Sequence, residues 1–282
     1  MFERGAPAVR PLRPAAADAA LRLALRDPLT HALPGARLAD VRRDPAFLSR
    51  EFSALGPDGD PHALLWNGAN TAPIEADGAA LDRFAEHLTA RSRSTSSLVG
   101  PSRDVARLWD VLAPVWGAAR DYRWSQPLLE ARADPSVGPE PALRPARPGE
   151  EGIVFPAAVA MFREEVGSDP TAYDGGRGYR RRVGELIAQG RTYVIVEDGA
   201  VVFKADVGAL FGDVAQLHGV WVRPGRRGEG IARRAMAAVV EHARRDHAPR
   251  VSLYVNDFNE PARRAYAASG FVQAGELATL LF

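Results

Sequence analysis

The sequence predicts an α/β (α+β) protein whose mixed, mostly antiparallel sheet carries helices on both faces. Three observations lead there. Short β-branched runs alternate with amphipathic helical stretches after residue 150. Asp198-Gly199 stands between two such runs, a strong signal for a two-residue hairpin because both turn positions need φ > 0. The stretch Ala133–Glu150, dense in Pro and Gly, cannot be a helix interior or a central strand and reads as a linker between two halves. We therefore expect two domains, residues 1–138 and 139–282.

In the first half an Ala/Leu helix is expected around Ala15–Arg26. Leu81, Phe84, Ala85 and Leu88 recur at helical spacing ahead of a strand-like run, Ser97–Val99. Trp109 and Trp116 fall on one helix face and read as core, with Trp124 beyond them. The second half opens with an apolar helix around Phe155–Glu165 and a helix near Tyr179–Gln189. Strands follow at Thr192–Val196, Ala200–Val207 and Val214–Val222. A long helix, with Ala232, Ala235, Met236, Val239, Val240 and Ala243 on one face, runs to about Arg245. The strand Val251–Asn256, a short helix and a last strand from Phe271 complete the order. Both halves place a helix before a short strand and open alike, Val9-Arg10-Pro11-Leu12 against Leu143-Arg144-Pro145-Ala146, the pattern of a diverged duplication.

Composition excludes several functions. Of 282 residues 46% are hydrophobic and 25% charged, ordinary for a chain that buries a core. A net charge of +1 excludes bulk attraction to nucleic acid or membranes. The absence of cysteine excludes disulfides, thiolate metal sites and a cysteine nucleophile. No apolar run resembles a signal peptide or a membrane span, so a cytoplasmic protein is expected. His242 and His247 lack metal-ligand spacing, and no metal is expected. Lys204 is the sole lysine, every other basic side chain being arginine, a bias that fits a GC-rich genome. A part for Lys204 in acceptor recognition stays open.

The segment Arg223–Ala232 carries the chemistry. A strand ends, glycines at 225, 228 and 230 free the backbone, and a helix begins at once. The first turn of a helix has N–H groups without intrahelical partners and the positive end of the dipole, so it receives anions. Arg223, Arg226 and Arg227 add charge. The spacing matches neither the ATP-binding nor the dinucleotide-binding glycine pattern.

Val220-x-Val222-x-Pro224 followed by Arg227-x-x-Gly230-x-Ala232 resembles the acyl-CoA-binding motif of the GNAT N-acyltransferases. Leu253-Tyr254-Val255-Asn256, Asn259, Ala262-Arg263, Tyr266 and Gly270-Phe271 resemble that family's second motif, and the resemblance covers about residues 143–282. The whole chain also resembles actinobacterial members with a poorly characterised N-terminal domain, itself a degenerate GNAT fold. The resemblance implies an acyl-CoA N-acyltransferase fold, two such domains in tandem, and acetyl-CoA as co-substrate. It implies that Val220, Trp221 and Val222 hold the pantetheine arm through their main chain, on a strand that splays from Val251–Val255. It implies that main-chain N–H groups of Arg227, Gly228, Glu229, Gly230, Ile231 and Ala232 bind the pyrophosphate. Asn256, Asn259 and Arg263 would lie along the coenzyme, Asn259 serving equally as a helix N-cap. Tyr266 would protonate the departing thiolate or, alternatively, pack beneath Phe271.

Many relatives carry a glutamate base on the strand before the glycine loop. Here that strand reads Gln216-Leu217-His218-Gly219-Val220, without the acid. His218, on the face of Gln216 by two-residue alternation, is the candidate base, or else a structural histidine; Glu197, Asp206 and Asp213 are further candidates. The segment Trp66–Thr71, where a duplicated phosphate loop would fall, has no arginine, so the first half is not expected to bind CoA. The expected activity is direct attack of a primary amine, of a small molecule or a protein, on the thioester. The alternative is a catalytically weak acyl-CoA sensor. Neither nucleic acid nor membrane is expected as a partner, and both a monomer and a homodimer are compatible with the sequence.

Overall fold

The computed structural model describes residues 8–282. Two compact units emerge, one made of the chain to Leu128 with Gly275–Phe282, the other of Leu129–Ala274.

The first unit begins with β1 (Arg10–Pro11) and three helices, α1 (Ala17–Ala24), α2 (Ala32–Val41) and α3 (Pro45–Glu51). Strands β2 (Phe52–Leu55), β3 (Ala63–Asn67) and β4 (Thr71–Ile74) follow, then α4 (Gly78–Thr89), β5 (Ser97–Pro101), α5 (Ser102–Trp116) and β6 (Asp121–Ala131). Local chemistry sets the helix starts. Asp44 accepts from the amides of Ala46 and Phe47 ahead of Pro45, and Asp77 accepts from Ala80 at 2.8 Å. Leu81, Phe84, Ala85 and Leu88 are buried as their spacing requires. Trp109 and Trp116 are buried on one face of α5, each against Phe282, whereas Trp124 is exposed and stacks on Tyr122. The segment Trp66–Thr71 is the tight turn of the β3–β4 hairpin, with Asn67 opposite Thr71. The strand-to-helix junction in this unit is instead Glu75-Ala76-Asp77. The hairpin strands have only five and four residues, so the turn comes earlier than a count from the second half suggests.

The chain continues through β7 (Arg144–Pro145), α6 (Glu151–Val166), α7 (Arg177–Ala188), β8 (Thr192–Glu197), β9 (Ala200–Phe211), β10 (Val214–Val222), α8 (Ile231–Asp246), β11 (Arg250–Tyr254), α9 (Glu260–Ala268) and β12 (Phe271–Leu281). Apart from a third helix early in the first unit, the two series of elements follow the same order. Strand neighbours are β1-β2-β3-β4-β5-β12 in the first unit and β6-β11-β10-β9-β8-β7 in the second.

Asp198 and Gly199 turn the β8–β9 hairpin at φ of 49° and 72°, as the dipeptide demands. The proline-rich stretch ahead of α6 is pinned, not loose. Ala133 and Ser136 donate to the carbonyls of Gly270 and Ala268. Arg144 grips Glu150 with two hydrogen bonds of 2.8 and 2.7 Å, which holds that carboxyl down to about 2. One face of the second sheet packs Phe203, Ala205, Leu217, Val251 and Leu253 against Met236, Val239 and Ala243 of α8. The other packs Val194, Val201 and Trp221 against Val154, Phe155 and Ala158 of α6 and Val183 and Ile187 of α7. Burying each such side chain contributes roughly 1.5–3 kcal/mol before chain entropy is counted. Among the described residues no helix is long and apolar enough to cross a membrane.

Candidate active site

The site forms where β10 parts from β11. Their parallel ladder pairs Val214 with Arg250, Ala215 with Val251 and Gln216 with Ser252, and there it ends, although both strands continue. Two irregularities cause the divergence. Gly208 is an extra residue on β9 between the partners of Gln216 and Leu217. On β10, Gly219 and Val220 together face only Ala205, between the pairs His218↔Asp206 and Trp221↔Lys204. Gly219 has φ +59°, the left-handed conformation that lets a strand absorb an extra residue and bend. The bend turns the main chain of Val220, Trp221 and Val222 away from β11.

Below this cleft the chain passes from β10 into α8. Gly228 and Gly230 have φ of 86° and 75°, and Gly230 is an N-cap with no side chain to close the helix end. The amides of the first turn, from Ile231 and Ala232 onward, have no intrahelical acceptor. Arg223, Arg226 and Arg227 are largely engaged in shaping the loop. Arg223 donates twice to the Val201 carbonyl. Arg226 pairs with Glu197 and Glu229. Arg227 donates to the Val222 carbonyl at 3.1 Å and pairs with Glu164 of α6. The anion-receiving element is therefore the helix end and its glycines, with arginines that carboxylates partly neutralise. No cluster of three or more His, Cys, Asp or Glu able to hold a metal occurs among the described residues.

On the far side, Asn259 caps α9 by accepting from Ala262 at 3.3 Å, with Pro261 in the first turn. Asn256 accepts the Asn259 amide through its carbonyl at 2.9 Å, and Arg263 donates to the Asp257 carbonyl at 3.0 Å. These bonds fix the β11–α9 turn. Tyr266, 7% exposed, lies 5.9 Å from the Phe271 ring, so it packs as an aromatic core residue. Burial, assisted by the negative field of Glu165, raises its phenol far above the ordinary value. The phenol stays protonated, so its O–H is available to donate.

His218 lies against Gly208, its Nε2 3.0 Å from Gln216 Oε1 and its ring edge-on to Tyr254. Facing an amide oxygen, Nε2 carries the proton and Nδ1 is the accepting nitrogen. Burial pushes this imidazole down to about 4, against the opposing pull of Asp206. A histidine expected to work as a base near pH 7 is thus neutral but only weakly basic. The other candidate acids are paired: Glu197 with Arg226, Asp206 with Lys204, Asp213 with Arg250. Two groups escape sequence reasoning. Ser252, opposite Gln216, is fully buried and its hydroxyl has no hydrogen-bond partner among the described residues. Glu165, exposed at the end of α6, adds to the burial that raises the phenols of Tyr179 and Tyr266, after burial and Asp206 in the case of Tyr179. It lies one residue beyond Glu164, which accepts from Trp221 Nε1 at 3.2 Å. Neither belongs to a sequence motif: the β10–β11 register reveals Ser252, and the electrostatics of the two phenols reveal Glu165.

Comparison with known proteins agrees with this geometry. Residues 159–271 match the model of the Acetyltransferase (GNAT) family, and residues 51–154 that of a domain of unknown function (DUF4081). Streptothricin acetyltransferase of Streptomyces lavendulae is 33% identical over 122 residues, 43% of this chain and 60% of that protein. The aligned stretch is thus less than two thirds of the relative's length. A GCN5-related N-acetyltransferase from Sphaerobacter thermophilus has the same fold, with a TM-score of 0.56 at 19% identity over 96% of this chain and 93% of that one. So does a tandem GNAT protein from the clavulanic acid biosynthesis pathway, with a TM-score of 0.55 at 16% identity over 97% and 98% of the two chains. Residues 159–271 are thus similar to GNAT acetyltransferases, and the chain is built on the acyl-CoA N-acyltransferase fold.

Proposed function

We propose that the protein transfers an acetyl group from acetyl-CoA to a primary amine by direct attack, with residues 139–282 as the catalytic domain and 1–138 as an accessory one. The opening of β10 from β11 above the uncapped, glycine-bearing start of α8 carries this reading. A pyrophosphate fits that helix end, where main-chain amides from Gly228 to Ala232 would hold it, the Arg227 amide being engaged by the Pro224 carbonyl at 3.2 Å. The main chain of Val220–Val222, turned out of the ladder, would hold the pantetheine arm and polarise the thioester carbonyl. Asn256, Asn259 and Arg263 flank the same cleft across the β11–α9 turn. Tyr266, locked as a proton donor, would hand its proton to the sulfur as the C–S bond breaks and the C–N bond forms. His218, neutral above about pH 4, would accept a hydrogen bond from the amine; the amine's proton leaves to water.

The relative's name makes streptothricin the first acceptor to test, beside simple amines and peptide amines. The assay follows thiol release from acetyl-CoA across that panel. Tyr266→Phe is expected to lower turnover about ten-fold or more while acetyl-CoA affinity changes less than about two-fold. The paired state of Glu197, Asp206 and Asp213 favours a second reading, an acyl-CoA sensor of weak activity. Thiol release that never exceeds background while acetyl-CoA still binds would select it.

A further inference from the structure

The lysine that the arginine bias spared lies directly under the β10 bulge. Lys204 is 1% exposed, among the largest fully buried side chains of the described residues. Its ammonium is paired with Asp206, itself 8% exposed, whose other oxygen accepts from Thr192 Oγ1 at 2.8 Å. Its other acceptor is the carbonyl of Gly219, at 3.4 Å. A bulge deprives a strand residue of its ladder partner, and a buried carbonyl left without a donor costs roughly 1–3 kcal/mol. The ammonium supplies that donor at the residue where β10 bends. Space there is closed: a Cβ on Gly219 would come within 2.8 Å of Met161 Cε, 3.3 Å of Lys204 Nζ and 3.4 Å of Asp206 Oδ2. A planar guanidinium is larger than an ammonium and cannot enter such a space without displacing the bulge.

We propose that Lys204 is a positioning residue for acyl transfer: with Asp206 it clamps the Gly219 carbonyl, and so fixes the angle at which Val220–Val222, still paired with β9, part from β11. The proposal rests on the transferase reading for its kinetic consequence but not for its structural one. It also explains why arginine does not stand at this position as it does at every other basic one. Thr192 belongs to the clamp only through Asp206.

The experiment compares the full-length wild type with Lys204→Met, Lys204→Arg and the charge-free pair Lys204→Met/Asp206→Leu. The pair leaves no buried charge unpaired and so keeps the test alive should Lys204→Met fail to fold. Hydrogen exchange of the peptide spanning residues 216–223 is read first. Each folded variant is expected to lose about ten-fold or more in protection there, while β8 and α8 keep theirs. Turnover is read second, with kcat expected to fall about ten-fold and the KM for acetyl-CoA to change less than about three-fold, since α8 is untouched. Unchanged exchange at 216–223 in the folded variants overturns the proposal, as does exchange lost equally across the whole sheet. A wild type with no turnover defeats the transferase reading alone, and the exchange result still decides the clamp.

Discussion

His218 carries the clearest pH signature in the molecule. Burial against Gly208, Gln216 and Tyr254 depresses its imidazole to about 4; Asp206 resists, while Arg182 and Lys204 push in the same direction as burial. In the unfolded chain the ring titrates near 6.5. The folded value is the lower one, so between about 4 and 6.5 the unfolded state holds the extra proton. Stability is accordingly complete above about pH 6.5 and drains away as pH falls toward 4. At about 1.36 kcal/mol per pH unit for one proton, the window is worth at most about 3 kcal/mol. Urea unfolding of wild type and His218→Gln at several pH values measures it. Between about pH 7 and pH 4.5 the wild type is expected to lose about 2 kcal/mol more than the variant. The difference is what counts, because His31, His87 and His242 are also depressed by burial and acidify both proteins alike. Stability curves that run parallel would refute the argument, as would a histidine resonance, absent from the variant, that titrates near pH 6.5. The same ring, neutral throughout the working range, would place no limb near pH 6.5 on the rate profile.

Three further outcomes follow from the site. Gly230→Val puts a β-branched residue at φ +75°, a strain of roughly 1–2 kcal/mol at the helix end, and acetyl-CoA affinity measured by calorimetry is expected to fall about ten-fold or more; unchanged affinity would remove α8 from the coenzyme site. Gly208→Ala drives a Cβ into the His218 ring and to within 2.8 Å of the His218 Cβ, and is expected to cost about 1–3 kcal/mol in thermal unfolding; in a His218→Gly background, which removes both ring and Cβ, the cost should largely vanish, and its persistence would count against the contact. Glu165→Gln removes a negative field from Tyr179 and Tyr266, so both phenols should titrate lower in ultraviolet difference spectra than in wild type; no change would separate Glu165 from the site.

The sequence was most informative where a residue's local rule and its tertiary role coincide. Asp198-Gly199 needed only its own backbone preference, and the α8 stripe of Ala235, Met236, Val239 and Ala243 needed only its period. The conformation of the glycine loop was legible because the positive φ of Gly228 and Gly230 is a property of those residues in their own segment. Proton chemistry was not. His218 looks like a base near pH 7 by residue type, yet its burial depends on Gly208, ten residues upstream and on another strand. The arginines of the loop read as free phosphate ligands. Their neutralisation by Glu164 and Glu197 comes from α6 and from the end of β8, neither adjacent in the chain.

The bulge also marks where strand alternation stops being a guide. Counting by twos from Gln216 correctly puts His218 on its face, and their hydrogen bond follows. Carried on, the count would put Val220 and Val222 on that face as well. The extra residue at Gly219–Val220 resets it, and Lys204 comes to lie opposite Trp221. The indole consequently reaches the α6 layer, packs with Val194 and Val201, and donates to Glu164. Glu164 also holds Arg227, so one carboxylate ties the end of β10 to the start of the glycine loop. The two halves of the cleft, the bent strand and the helix end, are thereby fixed to each other through α6. No sequence motif encodes that link; it exists because a single left-handed glycine turns Trp221 toward the helix that carries Glu164.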